Sequence, residues 1–88
     1  MHLYAEIKKL FLNIEKFFSE EDLIKFRNTL VSDLSSYHFS LGLWIRNSYL
    51  YKKESELYHL FCANGIPHPD DMSSIIILIF HDYISRKI

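Results

Sequence analysis

The sequence is short of the residues that staple or punctuate a chain. Its single cysteine, Cys62, excludes an internal disulfide framework and fits a reducing compartment. Two prolines, Pro67 and Pro69, and two glycines, Gly42 and Gly65, are too few for the frequent tight turns of an all-β fold. The same scarcity leaves no phosphate-cradling loop, dinucleotide fingerprint or nucleophile elbow. Neither sign of charge dominates, with ten basic and eleven acidic residues and a net charge of −1. Without a basic field, nucleic-acid binding is disfavoured. The longest unbroken apolar run, residues 75–80, is far too short to span a bilayer. Lys8, Lys9, Glu15 and Lys16 interrupt the apolar residues where a secretory leader would stand. These absences together predict a soluble cytoplasmic protein with no membrane partner.

What the chain has in quantity is apolar and aromatic side chains: 49% of its 88 residues are hydrophobic, including seven Phe, six Tyr and one Trp. That composition is globular, and the length suits one domain over 1–88. From 3 to 18 the apolar residues Leu3, Tyr4, Ile7, Leu10, Phe11, Ile14, Phe17 and Phe18 recur at intervals of three and four, which predicts one amphipathic helix. Ser19 before Glu20, Glu21 and Asp22 is a helix start, a hydroxyl cap followed by acids at the positive end of the dipole. This second helix is expected to turn Leu23, Ile24, Phe26, Leu30 and Val31 inward. A third helix is predicted over 33–47, capped by Ser32, Ser35 or Ser36, with Gly42 inside it where a neighbouring helix or an aromatic ring approaches closely. Residues 49–51 form a link or one further turn. A fourth helix is predicted over 54–64, with Gly65 just past its end in a left-handed conformation. Pro67 and Pro69 then hold Ile66 and His68 extended, and a fifth helix runs from Pro69 or Asp70 to about Arg86. The fold expected is all-α, a compact orthogonal bundle of four to five short helices.

The polar groups gather near the two glycines. Asp70 and Asp71 are read first as helix-start acids that cap and complement the dipole. Asp70 and His81 lie eleven positions apart, on one helix face but roughly 16 Å apart along the axis, so one metal ion cannot bind both. No His-x3-His or Cys-x2-Cys spacing is present, and neither a metal nor a cofactor is expected. His38 reads as a structural histidine and Trp44 as a core anchor. Arg46, at a helix end, is positioned to form a bidentate salt bridge with Asp70 or Asp71. Cys62 lies near a helix C-terminus, where the dipole disfavours a thiolate, and its neighbours suggest burial; Ser73 and Ser74 have no adjacent base in sequence, so no catalytic residue is assigned. Tyr37, Tyr49, Tyr51, Tyr58 and Tyr83 are more than so small a core can enclose. Tyrosines beside Arg46, Lys52 and Lys53 suit a protein-binding patch.

Two blocks carry a resemblance. They are His38-Phe39-Ser40-Leu41-Gly42-Leu43-Trp44-Ile45-Arg46-Asn47 and Gly65-Ile66-Pro67-His68-Pro69-Asp70-Asp71-Met72-Ser73-Ser74-Ile75-Ile76, the second followed by Phe80-His81. With them the chain resembles a family of small bacterial domains of unknown function, over residues 19–84. The aromatic segment that follows the first block in that family is represented here only by Tyr49-Leu50-Tyr51. The resemblance implies a discrete all-helical domain of bacterial or phage origin and brings no activity. Residues 1–18 stand outside it as an addition to the core.

The function expected is that of a small non-enzymatic interaction module that binds a protein partner, of the inhibitor, immunity or regulatory type, with bacterial or phage counter-defence as one version. Self-association through the amphipathic first helix is a linked expectation. Candidate binding residues are His38, Trp44, Arg46, Asn47, Tyr49, Tyr51, His68, Asp70 and Asp71. The alternative is an enzyme or small-ligand binder in which His38, Arg46, Asn47, His68, Asp70 and Asp71 converge in one cleft. A third reading joins Arg46, Lys52, Lys53 and the nearby tyrosines in contacts to nucleic acid.

Overall fold

The computed structural model describes residues 2–87, all-α, with the helices α1 (Leu3–Lys8), α2 (Phe11–Phe17), α3 (Glu20–Arg27), α4 (Leu43–Ile45), α5 (Glu56–Ala63) and α6 (Pro69–Arg86). α4 is the middle of a longer helical segment, residues 31–50, which opens as a 3-10 helix over Val31–Tyr37. The segment widens to a π-helix over His38–Gly42 and again over Arg46–Leu50.

α6 is the spine of the core. Met72, Ile76, Phe80 and Ile84 recur every fourth residue and are buried, with Ser73, Ile77 and His81 buried in the row beside them. Rows at this spacing are the ridges that pack into the grooves of neighbouring helices. Each fully enclosed Ile, Met or Phe contributes roughly 1.5–3 kcal/mol. The turn that aims α6 is built from local chemistry. Gly65 has φ +80°, and its N–H donates to the Cys62 carbonyl at 3.0 Å while the Ile66 N–H reaches back to Phe61 at 3.0 Å. This pair of bonds is the Schellman arrangement. His68 is extended, at φ −102° and ψ 124°, and Pro69 occupies the first helical position, where its missing N–H costs nothing.

The expected helix over 3–18 is two helices, and so the count rises from four or five to six. The break falls at Lys9–Leu10, where the Leu10 N–H bonds to the Ile7 carbonyl at 3.0 Å, one residue tighter than the α pattern. Ile7, Phe11 and Ile14 all remain buried, so the apolar rhythm passes through the break unchanged. The centre of the apolar face expected to support self-association is therefore enclosed in the core, while Tyr4 and Phe17 at its margins are 46% and 38% exposed. α3 begins at Ser19, whose Oγ accepts the Asp22 N–H at 3.1 Å. Phe26 is its one fully enclosed apolar side chain, in contact with Phe18, Tyr37 and Phe80 at ring separations of 5.1, 4.9 and 5.6 Å. The expectation that Ile24, Leu30 and Val31 also point inward is wrong: they are 54%, 68% and 60% exposed. α3 is too short and too peripheral to bury more than one edge.

The expected third helix, 33–47, begins earlier and ends later. It starts at Val31 with no side-chain cap, so Ser32, Ser35 and Ser36 do not serve as caps, and it absorbs Tyr49 and Leu50. α5 starts two residues after the predicted position. Its cap is Ser55, whose Oγ accepts the Tyr58 N–H at 3.0 Å and donates to the Tyr49 carbonyl. One hydroxyl thus ties the end of the 31–50 segment to the start of α5.

Candidate functional site

Arg46 lies at the centre of the polar constellation, and it is buried, at 3% exposure. Its Nη1 donates to the Ser73 hydroxyl at 2.9 Å and its Nη2 to the His38 carbonyl at 3.2 Å. Ser73, itself fully enclosed, passes the bond on by donating to the Asp70 carbonyl at 3.1 Å. The Asp70 carboxylate stands 3.6 Å from Arg46 Nε, with 68% of its side chain exposed against 4% for Arg46. The bidentate pair expected from sequence is thus a single long contact, and Nε is buried without a hydrogen-bond acceptor. The charge is held mainly by a hydroxyl and a main-chain carbonyl, bonds that are stronger for having a charged donor.

Gly42 explains how the guanidinium fits. A Cβ there would stand 3.0 Å from Arg46 Nη1, 3.4 Å from the Tyr37 carbonyl and 3.7 Å from Ile77. The close approach comes from the arginine of the same helix folding back over the glycine, with α6 behind it, and not from a neighbouring aromatic. The wide turn over His38–Gly42 leads into α4, and from its far end Arg46 reaches back past Gly42 to the His38 carbonyl.

The other candidates do not join Arg46. His38 supplies its carbonyl to Arg46, while its half-buried ring packs edge-on against Phe39 at 4.8 Å. Asn47, His68 and Asp71 are exposed. Neither Asp70 nor Asp71 caps α6 through its side chain, which corrects the capping expectation; as first-turn acids they still complement the dipole. Asp70 is mostly exposed and His81 buried, so the two do not share an environment. Among the described residues no three His, Cys, Asp or Glu side chains stand together in a way that could hold a metal ion.

Trp44 is half-buried between Phe17, at 5.2 Å, and Tyr49, at 5.7 Å. Tyr51 is 54% exposed. Tyr49 lines an open groove of about 510 Å³ with Lys52, Lys53 and Leu57. Lys52 and Lys53 are exposed whereas Arg46 is buried, so the arginine does not join them at the surface. Among the described residues a hydrogen bond to Cys62 raises the Tyr58 hydroxyl, and one to Glu15 raises the Lys87 ammonium, with Tyr83 adding to the second.

Sequence reasoning missed the outer face of residues 31–50. Phe39 is 83% exposed and Leu43, one turn on, 44%. Serines 32, 35, 36 and 40 are exposed around them, and Asp33 is the single exposed charge between 31 and 50. Beside this face lies a depression of about 270 Å³ lined by Val31, Leu34, Ser35, His38, Ser74, Ile77 and Leu78. Val31 and Leu78 also line a second depression, of about 480 Å³, with Tyr4, Ile79, His81, Asp82 and Ser85. The signal in the sequence was the lack of charge from 34 to 45.

These features define a small all-α domain whose middle and last helices are joined through one buried arginine. The chain belongs to the family described as Domain of unknown function (DUF6794), whose sequence model matches residues 5–84. The match begins within α1, so it takes in most of the N-terminal residues that the resemblance left outside. Comparison with curated proteins and with solved structures finds no match. Among the described residues no helix is long and apolar enough to cross a membrane.

Proposed function

We propose that this chain is a non-enzymatic interaction module that acts by binding a protein partner, of the inhibitor, immunity or regulatory type. A bacterial or phage counter-defence role in the cytoplasm is one concrete form of it. The observation that carries the reading is the exposure of Phe39, 83%, on a face with almost no charge. Interface centres are depleted in charge and enriched in aromatic residues, and an aromatic side chain entering a partner's pocket is a typical hot spot. Trp44, Tyr49 and Tyr51 extend the aromatic surface beyond that face. Arg46, through its bonds to Ser73 and the His38 carbonyl, supports it from behind by fixing the segment that presents it.

The test is a photo-crosslinking amino acid placed at position 39 in the source cells, with position 24 as a control at another exposed apolar residue, since Ile24 is 54% exposed on α3. A discrete protein adduct from position 39 and none from position 24 is the expected result. No adduct at 39, or the same diffuse set from both positions, overturns the proposal.

A further inference from the structure

We infer that the depression where α1, the start of the 31–50 segment and α6 meet binds a small aromatic alcohol, whose hydroxyl pairs with His81. The site is separate from the interaction reading, since none of Phe39, Trp44, Tyr49 and Tyr51 lines it. His81 is a buried group that the rest of the fold leaves unexplained. It is 7% exposed on α6, with its ring edge-on to Phe26 at 5.3 Å. Among the described residues nothing hydrogen-bonds to its Nε2. An unpaired buried polar atom costs more than a typical hydrogen bond contributes, so such atoms are nearly always paired with protein, water or ligand.

His81 also forms part of the wall of a depression of about 480 Å³. Tyr4, Val31, Leu78 and Ile79 make that wall mostly apolar, with Asp82 and Ser85 as further polar members. An apolar hollow of this size with a few polar groups is the ordinary form of a small-molecule pocket. A benzene ring needs only roughly 150 Å³. The chemistry of the wall selects what enters. Asp82 is its one formally charged residue, and Arg86 already holds that carboxylate at 3.1 Å. No free charge therefore awaits an ionic group, and an apolar body with one neutral polar group fits instead. A hydroxyl serves either tautomer of His81, because it donates to a bare Nε2 and accepts from a protonated one. A rigid ring supplies the apolar area without freezing torsions. Nε2 is sealed from water, so the ligand reaches it by moving one wall. Tyr4, Val31 and Leu78, at 46%, 60% and 47% exposure, are the side chains that swing aside without opening the core.

The test is a titration of the full chain, isotopically labelled with nitrogen, using phenol and then toluene, which has the same shape without the hydroxyl. Proton–nitrogen spectra follow the backbone amides and both ring nitrogens of His81. Phenol is expected to saturate at about 1 mM, an ordinary affinity for so small a ligand. It should move the His81 Nε2 resonance together with the amides of Leu78, Ile79 and Asp82. In His81→Leu the ratio of phenol to toluene affinity should fall by about tenfold, the loss of one hydrogen bond to a buried atom. Leu78→Trp fills the depression from an exposed position, so it should abolish binding at an unchanged melting temperature. No saturable shift up to about 10 mM phenol overturns the inference. So does a phenol titration that leaves Nε2 unmoved or survives Leu78→Trp. A phenol-to-toluene ratio that His81→Leu leaves unchanged marks an adventitious additive only, and overturns it as well.

Discussion

Ser73→Ala is the substitution that most directly tests the buried lock. The serine is fully enclosed and accepts a 2.9 Å bond from Arg46 Nη1. Removing its hydroxyl leaves a charged donor in the interior with no acceptor, beside an Nε that already lacks one. A hydrogen bond to a charged group is worth about 1.5–3 kcal/mol. Alanine returns at most about 0.5 kcal/mol through its helix propensity. The Asp70 carbonyl also loses a donor, but the Ser74 hydroxyl still serves it at 3.0 Å. The net expectation is a loss of about 1–2.5 kcal/mol, or a melting temperature lower by roughly 4–20 °C for a domain of this size. Urea unfolding followed by Trp44 fluorescence measures it. The Arg46→Met background supplies the control. Replacing a buried charge by an apolar side chain of similar reach is often neutral or stabilising, and there Ser73→Ala should cost nothing. Asp70→Ala should cost less than about 1 kcal/mol, because the pair is long and its carboxylate exposed. Equal losses from Ser73→Ala with and without Arg46 would refute the lock.

Gly42→Ala should destabilise the chain although alanine is normally favoured in a helix by about 1 kcal/mol, because the new Cβ would press on Arg46 Nη1 at 3.0 Å. The penalty should reverse sign in the Arg46→Met background, and Gly42→Leu should cost about 1–3 kcal/mol by overpacking. Gly65→Ala should cost about 1–2 kcal/mol from the left-handed backbone alone, since nothing lies within 4 Å of the added Cβ at φ +80°; equilibrium unfolding reads it. Ser55→Ala should cost more than Ser19→Ala, which loses a simple cap worth about 1 kcal/mol, because Ser55 also holds the Tyr49 carbonyl. The Lys87 ammonium, raised above its ordinary 10.5 by its bond to Glu15, binds its proton more tightly folded than unfolded. Its stabilisation is therefore full below pH 10.5 and lost as pH rises through the folded value. Lys87→Met should flatten that alkaline slope in pH-dependent melts.

Features set by neighbours along the chain were legible in the sequence. Ser19 before three acids named its cap, and Gly65 with Pro67 and Pro69 named the turn into α6. Features decided by distant contacts were not. The break at Lys9–Leu10 leaves the apolar spacing intact, so periodicity passes over it. The wide turns in 31–50 accompany the burial of Arg46 against α6, and no proline or glycine pair marks them. The pairing of Arg46 with Asp70 could be guessed from opposite charges near two helix ends. Ser73 and the His38 carbonyl, which hold the guanidinium at shorter range, could not. Ile24, Leu30 and Val31 looked like core because pattern reading assumes that every apolar residue of a short helix finds a neighbour.

The placement of Arg46 changes which residues can act on another molecule. An arginine beside histidines and aspartates reads as a recognition group, but here its donors are turned inward and its exposed neighbour, Asp70, lies 3.6 Å off. A group at 3% exposure meets a ligand only after the helix ends separate, and that separation breaks the bonds to Ser73 and His38. The same bonds clamp the 31–50 segment to α6, while Phe39 and Leu43 of that segment stay exposed. An aromatic ring exposed on a clamped helix loses little further freedom when a partner encloses it, so most of its burial energy is available for association. On the proposed reading the buried charge serves recognition indirectly: it holds rigid the segment whose uncharged residues would meet the partner.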